Sequence, residues 1–376
     1  MKMSEIVEAT QAFYCLDCGI CTGSCPVSRV TPEFSPRLMV EKTLMDGGED
    51  ALEDINIWSC LSCGQCSTRC PAKIQYPEFV RMVRHEAHLQ GKGGTPSHRG
   101  LFQTIMRMQT LDVKQRKTDW AREVGKIAQS GDTYFFVGCA PFFAVEFREH
   151  WEVDALDGPR GVLKLLNAIG IEPVISDEER CCGHDLLWNG DRENFAILAK
   201  KNVELLRSLG CKRVVFHCPE GYLTFKKYYP EVVGDHGLEL VHFYELLASE
   251  VSAGKLGFSP LSGTVTYHDP CRLGRQAGIM DAPRSLIQAI PEITFREMDH
   301  NRENGICCGT SAWMNCSANS KAIQKNRLYE AAGVGADTLI TACPKCRLHL
   351  SCALKDTDLT LKIQDLNDLL AKALVS

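Results

Sequence analysis

The chain has 376 residues, enough for two or three domains with cores of their own. Its 44% hydrophobic and 24% charged residues are ordinary for a globular protein, and a formal net charge of -5 gives no reason to expect nucleic acid as a partner. Twenty cysteines stand out, but Met1 to Thr10 holds no apolar leader, and the cysteines cluster in metal-ligand spacings, which favours a reducing cytoplasm over secreted disulfides. The most apolar stretch, residues 134–147, is broken by Gly138, Pro141 and Glu146, far short of the ~18 apolar residues a spanning helix needs. Membrane contact is expected only through a partner.

The first element is a repeated run, CxxCxxCxxxCP, written as Cys15, Cys18, Cys21, Cys25 and Pro26, and again as Cys60, Cys63, Cys66, Cys70 and Pro71. This is the ligand run of a two-cluster ferredoxin, in which three close cysteines wrap one cubane and the fourth serves the other. The spacing assigns Cys15, Cys18, Cys21 and Cys70 to one 4Fe-4S cluster and Cys60, Cys63, Cys66 and Cys25 to the second. A zinc site is the poorer reading, because zinc usually pairs two CxxC units without a third close cysteine and a trailing proline. Between the runs, Ser35 and Pro36 open a short predicted helix. A second helix follows Pro77, with Phe79, Val80, Val83, Ala87 and the stem of Arg84 on one face, and ends before the glycines at 91, 93 and 94. Residues 1–92 are thus expected to form a helical ferredoxin module, and residues 93–130 a helical connector over 101–129.

The rest of the chain repeats itself. The first copy, residues 131–255, has a β-rich run to Cys139, then Cys181-Cys182-Gly183, then a β-rich run to Cys218-Pro219-Glu220-Gly221. The second, residues 260–376, has a run to Cys271, then Cys307-Cys308-Gly309, then a run to Cys343-Pro344-Lys345-Cys346. Cys182 to Cys218 spans 36 positions and Cys308 to Cys343 spans 35. Helices are predicted over residues 192–209, closed by Gly210, and 317–332, closed by Gly333. Strands that stop at a cysteine, alternating with helices, indicate an α/β unit whose cysteines meet at one sheet edge. Pro219 and Pro344 are expected to turn neighbouring thiols together.

Taken together, these motifs resemble the catalytic D-type subunit of heterodisulfide reductases and the related iron-sulfur subunits of glycolate and lactate oxidases and of class II benzoyl-CoA reductase. The resemblance implies an α+β multidomain protein: an N-terminal helical two-cluster 4Fe-4S ferredoxin followed by two tandem α/β CCG domains. It implies that a full five-cysteine site, here Cys271, Cys307, Cys308, Cys343 and Cys346, holds a noncubane 4Fe-4S cluster able to engage a substrate sulfur. The first copy departs from the pattern, since Gly221 stands where Cys346 stands in the second. Cys139, Cys181, Cys182 and Cys218 remain, enough for an altered cluster, for zinc, or for an empty site.

Two functions follow as expectations. The favoured one is an electron-transfer subunit of a larger oxidoreductase complex, linking a flavoprotein partner, with a membrane or quinone-linked one as a further option, to the CCG clusters or a further acceptor. The alternative is a catalytic thiol-disulfide reductase working at the second copy. No dinucleotide or Walker run suggests a nucleotide site. His217 and His268 are read as loop histidines satisfied by backbone, with sulfur hydrogen bonding as the rarer option. Lys345 is read as either a charge-stabilising or a solvated lysine, and the Lys226-Lys227 pair as a solvated helix end. Cys211, Cys316 and Cys352 fall outside every motif and are expected to be small buried hydrophobes.

Overall fold

The computed structural model describes residues 1–45, 48–151 and 153–375. In the N-terminal module, helix α1 (Pro36–Leu44) begins as the sequence predicts: Ser35 is extended, its hydroxyl accepts the Leu38 amide at 3.3 Å, and Pro36 occupies the first turn. Helix α2 (Tyr76–Leu89) buries Phe79, Val80, Val83 and Ala87 on one face. Arg84 buries its stem on that face as expected, and its head is buried too, with main-chain carbonyls satisfying it.

The connector is helical only over α3 (Leu101–Met108), apart from short 3-10 turns at Ser97–Gly100 and Asp119–Ala121. Beyond Met108 its side chains bond to the first copy instead of to an apolar face. Gln109 accepts the Cys181 amide at 2.8 Å, and Lys117 pairs with Glu179 at 2.6 Å, both sealed from water. The segment therefore follows the surface of the first copy, which overrides its helical pattern.

Each copy is built on a parallel sheet. The first has the order β1 (Thr133–Phe136), β2 (Arg213–Phe216), β3 (Glu239–His242). The second has the order β5-β4-β6-β7, formed by β4 (Gly263–His268), β5 (Ile293–Phe295), β6 (Thr338–Thr341) and β7 (Lys362–Asp365). The duplication holds in register: His242 pairs with Phe216 at the end of β3, and Asp365 pairs with Thr341 at the end of β7. Where β5 flanks β4, the first copy has a single parallel bridge from Val174 to Tyr134. Among the predicted helices, α4 (Arg192–Ser208) stops before Gly210, and α5 (Ala318–Gly333) is capped by Ser317. Gly333 is the last residue of α5, and Gly335, with φ of 70°, makes the left-handed turn.

The two copies pack through a helix pair, Asp157–Ala168 from the first and Leu366–Lys372 from the second. Gly161 allows the closest approach, since a Cβ there would lie 2.4 Å from the Asn367 carbonyl oxygen.

Candidate iron-sulfur centres

The two cysteine runs fold alike. In each, a residue with positive φ (Asp17, Ser62) and then a glycine (Gly19, Gly64) turn the chain into a five-residue helix, Ile20–Ser24 or Gln65–Arg69, which carries the third cysteine. The fourth cysteine follows directly as its C-cap. A recess of about 460 Å³ is lined by Cys15, Cys18, Cys21 and Cys70, and another of about 310 Å³ by Cys25, Cys60, Cys63 and Cys66. Cys66 also reaches the wall of the first, and Tyr76 lines both. The sets differ in exposure: Cys18 is exposed, whereas Cys25, Cys60, Cys63 and Cys66 are all buried.

Burial pushes the Cys25 thiol up to about 11 and, against the pull of Arg84, the Cys60 thiol up to about 12. Such thiols stay protonated until a metal displaces the proton. The donor sets suit iron-sulfur clusters: they are all sulfur, and the Tyr76 hydroxyl is buried without a partner beside Cys60, Cys66, Cys25 and Cys21. An orphaned donor among thiolates is a natural hydrogen-bond donor to cluster sulfur.

In the second copy the five cysteines converge beyond the strand ends. Cys307 bonds to Cys271 and Cys308, and Cys346 to Cys308 and Cys343. Hydrogen bonds from Cys307 and Cys346 pull the Cys308 thiol down to about 6. Pro344 does its turning by opening a helix, Pro344–Leu354, with Cys343 as its N-cap. Pro219 opens Pro219–Leu223 after Cys218 in the same way. In the first copy, Cys139 Sγ lies 3.3 Å from Cys181 Sγ, Cys181 bonds Cys182, and Cys218 neighbours Cys182. At Gly221 a Cβ would meet only ordinary contacts, the nearest being Phe216 at 3.5 Å.

These sets are contiguous. Burial raises the Cys63 thiol, Arg275 opposes the rise, and the neighbouring charge of Cys271 adds to it, so the second ferredoxin set abuts the five-cysteine site. Burial and then the charge of Cys343 raise Cys218, so the cysteines of the two copies lie near one another.

At that meeting point lies a buried ion cluster that the spacing of motifs does not reveal. Lys345 Nζ is 2.5 Å from both Asp185 and Glu220, and His184 Nδ1 is 2.8 Å from Asp185. Lys345 is therefore neither solvated nor free. The one sequence signal was the exchange of acid for base at matching positions, Glu220 for Lys345. His217 and His268 sit in the core at the strand ends. Burial drives His217 down to about 4 while its Nε2 lies 3.3 Å from the Val137 carbonyl, and His268 Nδ1 accepts from Arg327 at 3.2 Å. Lys227 is no free helix end, since it and Tyr228 bind Glu78 of α2 at 2.5 and 2.7 Å, tying the first copy to the ferredoxin module. Of the unassigned cysteines, Cys211 is buried as expected, Cys316 is exposed, and Cys352 is half-buried with Lys321 Nζ 2.6 Å from its sulfur.

Comparison with known families places a 4Fe-4S dicluster domain at residues 11–74 and the cysteine-rich CCG domain at residues 133–226 and again at 265–351. The chain belongs to the CCG-domain iron-sulfur proteins. It is 31% identical over 271 residues to the D-type subunit of the dihydromethanophenazine:CoB--CoM heterodisulfide reductase of Methanosarcina barkeri, covering 70% of this chain and 64% of that one. It is 29% identical over 252 residues to the EtfAB:quinone oxidoreductase of Syntrophomonas wolfei, covering 64% of this chain and 34% of that one. The B-type subunit of the fumarate reductase (CoM/CoB) of Methanothermobacter marburgensis matches 99% of this chain and 74% of its own length at 27% identity. A crystal structure of a hypothetical protein from Helicobacter pylori shares the fold, with a TM-score of 0.60 over 100% of this chain and 77% of that one at 12% identity. The chain thus spans 64% of the length of the heterodisulfide reductase relatives it matches. Among the described residues no helix is long and apolar enough to cross a membrane.

Proposed function

We propose that this CCG-domain protein is the electron-transfer subunit of a larger oxidoreductase complex, relaying single electrons between a flavin-bearing partner and its CCG centres or a further acceptor. The observation that carries the reading is the contact of the second cysteine run with the segment after Cys271, where Arg275 donates to the Cys63 carbonyl at 2.9 Å and Gln276 to that of Ser62 at 2.8 Å. Cys15, Cys18, Cys21 and Cys70 would hold one cubane, and Cys25, Cys60, Cys63 and Cys66 the other. Cys271, Cys307, Cys308, Cys343 and Cys346 would hold a noncubane cluster, and Cys139, Cys181, Cys182 and Cys218 an iron-sulfur cluster of altered type. Clusters of this kind supply one-electron reduction and oxidation. The chain's own part is to line up its thiol sets, to leave Cys18 exposed at one end for a partner, and to keep Cys25, Cys60, Cys63 and Cys66 from water.

One observation favours a second reading, catalytic reduction of a disulfide: the Lys345–Glu220 ion pair, two residues after Cys343 and Cys218, brings the two CCG sites near one another. Gly221 weighs against it, because the first site lacks the fifth thiol. A low-molecular-weight disulfide added anaerobically to the reduced protein separates the two. The relay reading expects no new paramagnetic state, and a signal that depends on the disulfide would establish the reductase.

A further inference from the structure

Three arginines crowd the junction between the second ferredoxin set and the five-cysteine site, and none of them has a carboxylate partner among the described residues. Arg84, with 0% exposure, donates to the carbonyls of Ile57 (2.8 Å), Trp58 (3.1 Å), Cys60 (2.7 Å) and Trp188 (3.2 Å). Arg272, 4% exposed, lies 4.1 Å above the Trp188 ring and donates to Ser62 Oγ at 2.9 Å and Gln276 Oε1 at 2.6 Å. Arg275 donates to the Cys63 carbonyl at 2.9 Å and to those of Glu303 and Gly305, and its remaining Nη2 is buried with no partner. Other buried arginines here are neutralised: Arg284 by Asp269, and Arg81 by Glu78.

Two cations out of water and a third half-buried beside them, with no counter-ion, are a large cost unless an anion sits among them. The anions at hand are the thiolates of Cys60, Cys63 and Cys271, each of which is felt by one or more of these guanidiniums. A cubane bound by four thiolates carries net negative charge, and reduction adds another, so nearby fixed cations favour the reduced form. Burial acts the other way. The outer set differs, since its neighbouring Arg37 is already paired with Asp17.

We propose that Arg84, Arg272 and Arg275 are positioning residues that act through charge, raising the reduction potential of the cluster held by Cys25, Cys60, Cys63 and Cys66. They keep this buried cluster able to accept an electron from the exposed one. The proposal rests on the iron-sulfur relay reading above.

The test is a potentiometric titration of the intact protein, followed by electron paramagnetic resonance, for Arg84→Met, Arg272→Met, Arg275→Met and the matching Lys variants, with iron counted in each. The Met variants are expected to lower the potential of one ferredoxin cluster and leave the other unmoved, while the Lys variants stay near the parent. Unmoved potentials in iron-replete Met variants overturn the proposal, and so do Lys variants that shift as far as Met, since they would indicate a structural role. Should Arg84→Met lose iron, Arg275→Met and Arg84→Lys decide, because Arg275 is less deeply buried. A parent protein that lacks the second cubane would instead overturn the relay reading itself, a failure the iron count identifies separately.

Discussion

Glu220 and Lys345 stand at the same position of the two duplicated units, and each is the other's partner. Glu220 follows Cys218-Pro219 as Lys345 follows Cys343-Pro344, and Lys345 Nζ lies 2.5 Å from Glu220 Oε2. An acid and a base at equivalent places make the contact between the copies one of unlike charges, where identical copies would meet with like ones. Asp185 adds a second carboxylate, and all three side chains are largely out of water.

Removing the shared cation leaves two buried carboxylates with only the His184 imidazole between them. Lys345→Met is therefore expected to destabilise the fold by about 3–5 kcal/mol, read from the denaturant midpoint. Adding Glu220→Gln should recover part of the loss, because one stranded charge is then gone. A midpoint unchanged from the parent would mean the ion cluster contributes nothing.

Gly221 has room for a side chain, its nearest contact for a Cβ being 3.5 Å. Gly221→Cys is expected to fold normally and to supply the first copy with its fifth thiol, changing the visible and paramagnetic spectra. Gly221→Ala should leave both spectra as they are. Identical spectra for the two variants would show that the added thiol finds no metal.

The third residue of each Cys-Cys-Gly must be glycine on two grounds. Gly309 has φ of 79°, and a Cβ there would lie 2.8 Å from the Ser320 carbonyl oxygen; Gly183 has φ of 78° and would meet Phe195 at 2.7 Å. Gly309→Ala should cost about 1–2 kcal/mol from the left-handed backbone and a further ~1–3 kcal/mol from the collision, with loss of iron from the second copy. Gly333→Ala is the control. It sits in α5 with nothing near its Cβ and should be neutral or stabilising by up to ~1 kcal/mol.

Asp365 makes stability depend on pH. Burial raises its carboxyl from 3.8 to about 6, with Arg347 only partly opposing. A raised acid favours the folded state when protonated, so this contribution is full below about pH 4 and is lost as pH rises through 6, about 3 kcal/mol in all. Asp365→Asn keeps an oxygen to cap the Asn367 amide, which Asp365 now does at 2.9 Å. Its stability should therefore be flat across this range where the parent's falls. A parallel fall in both proteins would place the titration elsewhere.

Much of this was legible in the sequence because it is local. Cysteine spacing, the Ser35 and Ser317 caps and the stop at Gly210 depend on neighbours a few positions away. What stayed hidden depends on segments that meet only in space. Lys117 turns to Glu179 and draws the connector away from a helix, while Arg84 finds its carbonyls from Ile57 to Trp188. The pairing of Lys345 with Asp185 and Glu220 exists only once the copies have docked. The stop of α5 was misplaced at Gly333 because the left-handed residue, Gly335, comes two positions later.

The relay proposal requires a filled five-cysteine site behind two cubanes, which anaerobic analysis of iron and acid-labile sulfide measures. At least about 12 iron per chain are expected, eight from the cubanes and four from the second copy. A fully folded protein holding only about eight would contradict it.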